Sequence, residues 1–398
     1  MPTDVTQKGG TMRTTASVAS LRPVLLSAQY PPTDYLTWIG GTIRSWDAAL
    51  VEIVLDDGTT GLGEVGAGIM AAAAVPGLVA AFEPYVVNSE YQHPLEVGNH
   101  LRAYTAFWSR GGIASGVAGA IEIAVLDAVG KREGVPAYEL LGGPARSRIE
   151  AYASGGVGTD FGQVEAWVEA QVEHGFRTVK FRAMKDPDTT IALARRISSR
   201  LPHGVRFVLD AVQASASHPW SIDDATTVGR VLDELDARWY EEPLGADDVD
   251  GYAELQRRLT TSVSGVESNS RVSEFQRLIE AEAVEIVQPD TTFVGGVQSF
   301  LDVATLAEAR GVKAVPHVWG SGVSFAANLH ASFAHPNVNL FEYCRLENPL
   351  RDALLMSDID IDHDGFIALP QSPGLGISLT PDTELTYTYA PGAGHVIR

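Results

Sequence analysis

The apolar positions change their period twice along the chain. Over residues 24–68 they alternate as in strands. Ala48-Ala-Leu-Val-Glu-Ile-Val-Leu55 is rich in β-branched residues, and Asp57-Gly58 is a hairpin turn signal. Over residues 75–141 they recur at helical spacing, with Ile121, Val125 and Val129 on one face. Strands followed by helices predict a separate α+β domain, closed by Leu140-Leu-Gly-Gly143. After Ile149 short apolar runs alternate with amphipathic segments. Asp160 caps a helix carrying Val164, Trp167, Val168 and Val172, which Gly175 ends, and the strand Arg177-Thr-Val-Lys-Phe181 follows. The helical faces Val272/Phe275/Leu278/Ile279 and Val297/Phe300/Leu301/Ala304 precede the strands Val284-Glu-Ile-Val287 and Val312-Lys-Ala-Val315. So many βα units fit a closed parallel barrel better than an open sheet.

The resulting expectation is an α/β protein: a TIM-like closed parallel barrel with a separate α+β domain. Residues 1–20 are expected to be a disordered tail and 21–145 the α+β domain. Residues 146–348 form the barrel, and 349–398 return to the first domain. The 398-residue chain is 45% hydrophobic and 20% charged, ample for a large core. Its formal charge of −21 argues against a nucleic-acid partner. Cys344 is the single cysteine, so no intrachain disulfide forms. No apolar run is read as a membrane span or signal peptide, and a cytoplasmic location is expected.

Polar residues recur at the ends of the predicted barrel strands: Lys180, Asp210, Glu241, Glu267, Asp290, His317 and Glu342. They are spaced 23 to 31 positions apart, about one βα unit each. In a parallel barrel all strand C-termini open on one rim, so these residues converge there. A single charge at a strand end is more often a solvated loop residue; seven in register point to a site. Asp210, Glu241 and Glu267 suit a hard divalent cation such as Mg²⁺, the competing reading being three unrelated surface acids.

Lys180-Phe-Arg182, Asp210, Tyr240-Glu-Glu-Pro243, Gly265-Val-Glu267, Gln288-Pro-Asp-Thr-Thr-Phe-Val-Gly-Gly296, His317 and Phe341-Glu-Tyr343 together resemble the mandelate racemase branch of the enolase superfamily. The resemblance extends over nearly the whole chain after the tail and implies a (β/α)7β barrel with an α+β capping domain, residues 21–145 and the returning segment 349–398, that serves as substrate lid. It implies one Mg²⁺ per subunit held by Asp210, Glu241 and Glu267, with Glu242 turned the other way. Lys180 would flank the substrate carboxylate, His317 would be the base or acid oriented by Asp290, and Glu342 would bond a carboxylate oxygen. Such sites are known to pair a Lys or His base with Mg²⁺ and stabilise an enediolate. A symmetric homo-oligomer acting on a small-molecule carboxylate is also implied.

Three departures narrow the reaction. Arg182 stands where the branch commonly has a second lysine, and a permanently charged guanidinium is a poor base. One good base suits dehydration of an aldonate or aldarate to a 2-keto-3-deoxy acid better than racemisation. An isomerase of the same superfamily (racemase, epimerase or cycloisomerase) is the alternative, and a non-catalytic binding relative the third. Val212 replaces a frequent asparagine, for which Gln213 is the candidate substitute, and Val266 replaces a frequent glycine. The expected lid comprises residues 29–46, with Tyr35, Trp38 and Arg44, and the loop 65–74. Arg44 is either a partner for a distal carboxylate or simply solvated. Gly61-Leu-Gly-Glu-Val-Gly66 matches a dinucleotide-binding pattern but follows a hairpin, and is set aside. Asp360, Asp362, Asp364 and Gly365 resemble the start of a calcium loop but lack its last glutamate; a turn at Asp364-Gly365 is the better reading.

Overall fold

The computed structural model describes residues 14–38, 41–392 and 394–397. The strands in chain order are β1 (Ala16–Gln29), β2 (Leu36–Trp38), β3 (Gly41–Ile43), β4 (Ser45–Leu55), β5 (Thr60–Glu64) and β6 (Glu90–Tyr91) in the cap. The barrel strands follow: β7 (Arg148–Ser154), β8 (Thr178–Arg182), β9 (Arg206–Asp210), β10 (Trp239–Glu241), β11 (Val263–Gly265), β12 (Ile286–Val287), β13 (Lys313–Ala314) and β14 (Leu340–Cys344). β15 (Phe366–Ala368) and β16 (His395–Ile397) complete the chain.

The cap is an antiparallel sheet in the order β5-β4-β1-β6, backed by the helix Gly112–Glu133. β4 and β5 meet at the Asp57-Gly58 turn, where Gly58 has φ +88°. The expected tail is shorter than residues 1–20. Ala16 and Val18 are buried, and Ala16 pairs with Tyr91, so the small apolar side chains at 16 and 18 begin β1. Residues 1–13 lie outside the described residues.

β7 to β13 lie side by side in sequence order, with β14 on the far side of β7, every neighbouring pair parallel. Between consecutive strands lie the helices Phe161–His174, Pro187–Arg200, Ile222–Glu234, Val249–Arg258, Val272–Glu280, Val297–Glu308 and Gly322–Ala334. This is the expected (β/α)7β arrangement. Capping follows the sequence signals: the Asp160 carboxylate accepts from Gln163 N–H, and Gly175 ends that helix at φ +113°. Past β13, Val318 N–H donates to Glu342 Oε2 on β14 at 2.7 Å, so a buried carboxylate links these two strand ends.

Buried carboxylates fasten the cap to the barrel and to the C-terminal segment. Glu64, on β5, accepts from Ser321 N–H (3.0 Å), Ser321 Oγ–H (2.6 Å) and Ser324 N–H (2.8 Å), at the start of the last barrel helix. Asp127 accepts from Leu62 N–H (3.0 Å) and Leu375 N–H (2.8 Å), and pairs with Lys131. Burial raises the pKa of both acids, which is why each is saturated with donors. The glycines of the 61–66 motif serve packing. A Cβ on Gly63 would lie 1.8 Å from Ala120 O, so β5 touches the cap helix directly. Likewise a Cβ on Gly119 would lie 2.4 Å from Gly296 N, bringing the helix onto the Gly295-Gly296 loop of the barrel.

Two corrections concern the ends of the fold. The helix Gly112–Glu133 and the stretch Gly68–Val86 have the length and hydropathy of a membrane span, contrary to the reading that no such run exists. For the first, 89% of its apolar window is packed inside the protein, as befits the core helix of the cap. The C-terminal segment does not go straight back to the cap. Gly365 takes φ +85° in the expected turn, and β15 then adds antiparallel to barrel strand β7. Only later does Thr388 bridge to Leu26 and β16 pair with β3.

Candidate active site

The strand-end residues converge as their register requires. Glu241 lies opposite Asp210, and Lys180 sits on the neighbouring strand, all three fully buried. The Lys180 ammonium bonds Glu241, pairs with Glu342 Oε1 at 2.8 Å and lies 3.7 Å from Asp210 Oδ2. Burial alone would lower its pKa, but the charges of Glu241 and Glu342 outweigh that and hold it well above the usual lysine range. Burial likewise opposes ionisation of Glu241, yet Lys180 and Arg182 bring it below the usual carboxylate range. Arg182 donates to Asp210, and its guanidinium stacks against Trp319 (5.1 Å) and Trp38 (6.0 Å).

His317 faces Asp290 on one side and the pocket on the other. Its Nδ1 lies 3.0 Å from Asp290 Oδ2; an ionised carboxylate only accepts, so Nδ1 carries the proton. Asp290 is itself fixed by Thr292 N–H and Oγ1–H and by Asn328 Nδ2–H. The other ring nitrogen, Nε2, lies 3.3 Å from Glu267 Oε1. Burial pulls the imidazole down, but Glu267, the Asp290 hydrogen bond and Glu342 together raise it to about 9.

Glu242 does not point away as strand alternation predicts. β10 ends at Glu241, and Glu242 takes φ +45°, which turns it into the pocket beside its neighbour. Burial, then the charges of Glu267 and Glu241, push it up to about 8. Left-handed backbone recurs around the rim: Val212 has φ +55° and Val266 φ +59°. These are the two positions where asparagine and glycine are frequent in the resembled branch. Both of those residues adopt this conformation at ease; β-branched valine is strained there.

The pocket has a volume of about 340 Å³. Arg182, Glu242, Glu267 and His317 line its floor; Trp38, Ile43, Ile69, Met70, Phe293 and Trp319 line much of the rest. Trp38 is where the lid reading placed it. The loop 65–74 is helical instead, Gly68–Ala71 followed by Ala72–Ala74, because its small residues pack on β4. Arg44 does not reach the pocket: it is exposed, its guanidinium 5.9 Å from the Tyr35 ring centroid. Gln213 is committed elsewhere, donating to Ala211 O (2.7 Å) and accepting from Trp220 N–H (2.9 Å), and so pins its own loop. Sequence reasoning missed Glu242, Trp319 and His395. Trp319 lies two residues past His317 and was findable; His395 follows no βα unit and was not.

Among the described residues, the one trio of ligating groups whose atoms all lie within 4.8 Å is Asp362, His363 and Asp364, in a surface turn. Asp210, Glu241 and Glu267 form no such trio, because their carboxylates are turned onto Arg182, Lys180 and His317. Their chemistry nevertheless fits a divalent ion. All donors are carboxylate oxygens, Asp210 and Glu241 both lie within 3.7 Å of a single ammonium group, and Glu267 Oε2 is buried with no partner among the described residues. A rim of acids that pushes Glu242 toward neutrality is short of positive charge.

Residues 163–383 match the family model described as enolase C-terminal domain-like. Residues 32–142 match that of the mandelate racemase/muconate lactonizing enzyme N-terminal domain. The chain is 30% identical over 349 residues to D-galactarolactone cycloisomerase of Agrobacterium fabrum strain C58, covering 84% of this chain and 89% of that one. It is 28% identical over 333 residues to arabinonate dehydratase of Saccharolobus solfataricus, covering 82% and 87%. The crystal structure of 3,6-anhydro-D-galactonate cycloisomerase from Zobellia galactanivorans superimposes with a TM-score of 0.82 at 26% identity, over 93% of this chain and 99% of that one. A capped (β/α)7β barrel, strand-end acids around one rim and matches over both domains lead to one conclusion: the chain belongs to the mandelate racemase/muconate lactonizing enzyme family of the enolase superfamily.

Proposed function

We propose that the protein is a Mg²⁺-dependent carbon–oxygen lyase that dehydrates a sugar acid to a 2-keto-3-deoxy acid. The observation that carries this reading is a rim with one well-placed base. His317 is held by Asp290 and presents Nε2 to the pocket, while neither cation is free to act as a second base. Arg182 is bound to Asp210, and Lys180 is fixed as an ammonium between Glu241 and Glu342.

Asp210, Glu241 and Glu267 would hold the ion, which supplies positive charge beside the substrate carboxylate as a second negative charge develops there. Lys180 and Glu342 flank that carboxylate and orient it. With an ion on Glu267 offsetting the charge that most strongly keeps the imidazole protonated, the neutral His317 Nε2 takes the proton from the carbon next to the carboxylate. The resulting imidazolium, stabilised by Asp290, returns the proton to the hydroxyl on the following carbon, which leaves as water. The C–H and C–O bonds break, a C=C bond forms, and the enol product tautomerises to the 2-keto acid.

A second reading is supported by the names of two relatives, both cycloisomerases: the same base opens or closes a ring instead of expelling water. Incubation with aldonic and aldaric acids and Mg²⁺ separates the two. A ketone-reactive reagent detects the dehydration product, and α-proton exchange in deuterated water reads the shared first step. EDTA is expected to abolish both signals and added Mg²⁺ to restore them. A folded, Mg²⁺-supplied protein that exchanges no acid in the set would sink the proposal.

A further inference from the structure

The pocket receives a side chain from a segment that lies beyond the family-matched residues, which end at 383. β16 pairs antiparallel with β3, in register His395 to Ile43. Its approach is fixed where Arg44 N–H donates to Gly394 O at 2.7 Å. Gly394 is required there, since a Cβ would lie 2.5 Å from Ser45 Oγ. This places His395 in the pocket wall, its ring edge-on to Trp46 at 5.5 Å between centroids.

Both ring nitrogens of His395 are buried, with no hydrogen-bond partner among the described residues. A buried imidazole with neither nitrogen satisfied is costly unless something else enters the pocket to meet it. The surrounding wall is apolar: Trp38, Ile43, Ile69 and Met70 offer nothing except the Trp38 indole N–H. The nearby Thr42 hydroxyl is already shared with Thr37 at 3.3 Å. On the barrel side, valine at 212 cannot bond a substrate hydroxyl. Burial lowers His395 to about 4, so near neutral pH it is uncharged, one nitrogen donating and the other accepting. Among the described residues that line the pocket, the one lysine or arginine is Arg182, which is bound to Asp210; Arg44 lies outside.

We propose that His395 is a specificity-determining residue, hydrogen-bonding a neutral hydroxyl or ether oxygen at the end of the substrate remote from its carboxylate, so that the enzyme selects a monocarboxylic acid over a diacid. The inference rests on the reading of this pocket as the site where a sugar acid loses its α-proton.

The test compares matched sets of one configuration: an aldonate, its terminal-deoxy counterpart and the corresponding aldarate, each with Mg²⁺. The wild-type protein is expected to favour the aldonate by about tenfold in kcat/KM over both partners. His395→Leu raises KM for the aldonate by about tenfold, leaves kcat within about threefold, and erases the preference over the deoxy acid. His395→Gln, which keeps a donor and an acceptor, recovers most of that preference. A preference unchanged in His395→Leu overturns the proposal, as does a diacid proving the best wild-type substrate. If no acid exchanges its α-proton, the proposed function fails on its own. The same pairs titrated against tryptophan fluorescence then decide the role of His395, because Trp46 reports on its neighbour. Equal affinity of wild-type and His395→Leu protein for the aldonate rejects that role.

Discussion

The floor and the wall of the pocket are built on opposite principles. The floor is a lattice of charges fixed to one another: Lys180 with Glu241 and Glu342, Arg182 with Asp210, His317 with Asp290 and Glu267. The wall is mostly apolar, drawn from the cap, the barrel loops and the C-terminal strand. A charge lattice in a dry setting is stiff and preorganised, which serves bond breaking. An apolar wall tolerates changes of shape, which serves recognition. The difference teaches where to look: floor residues should govern kcat, wall residues KM.

The comparison breaks most sharply at His317. His317→Asn is expected to slow α-proton exchange in deuterated water by about 10³-fold, with a native circular dichroism spectrum. Exchange at a wild-type rate would transfer the role of base elsewhere. Next, Lys180→Met removes the cation of the buried cluster and leaves Glu241 and Glu342 facing each other. Denaturant unfolding in EDTA should show a loss of about 3 kcal/mol. Unchanged stability would mean that water already screens the floor.

A residue outside both regions supplies the control. His330 is buried, its Nδ1 accepting from Tyr138 N–H at 3.2 Å, and burial lowers it to about 3. The unfolded chain therefore binds a proton near pH 6.5 that the folded chain refuses until about pH 3. Stability accordingly falls as pH drops through this window. His330→Gln should make that decline shallower by about 1.4 kcal/mol per pH unit, seen in denaturation midpoints. Parallel curves for the two proteins would contradict the assignment. On the wall, Trp38→Ala should raise KM by about tenfold and change kcat by no more than about threefold. The smallest effect concerns rim strain: at half-buried Val212, with φ +55°, Val212→Asn should stabilise the fold by about 1 kcal/mol, measured by thermal unfolding.

The sequence exposed the floor because the barrel writes it in a fixed rhythm. An apolar strand three to five residues long ends in a polar residue, and the next one comes a helix later, so Lys180, Asp210, Glu241 and His317 could be read in order. Glu242 was misread because alternation holds only inside a strand, and the left-handed turn after Glu241 ends it. Gln213 was misread, and Arg44 left open between substrate and solvent, for a different reason: composition shows which groups are able to bond a substrate but not which are already occupied by backbone or solvent. The wall was the least legible part. Its members come from elements with no common period, and His395 reaches the pocket only through the pairing of β16 with β3.

Glu64 and Asp127, together with Glu122, which accepts from Gln298 N–H at 2.9 Å, tie the cap to other parts of the chain, with a consequence for building variants. Glu64 reaches residues 321 and 324, Glu122 reaches Gln298, and Asp127 reaches Leu375. A cap transplanted from a relative would arrive with its acids facing foreign backbone, or leave barrel amides in the dry interior without acceptors. Recombination at the obvious boundary near residue 145 therefore needs a barrel and C-terminal segment that present non-proline N–H groups at 298, 321, 324 and 375, and a hydroxyl at 321, to these acids.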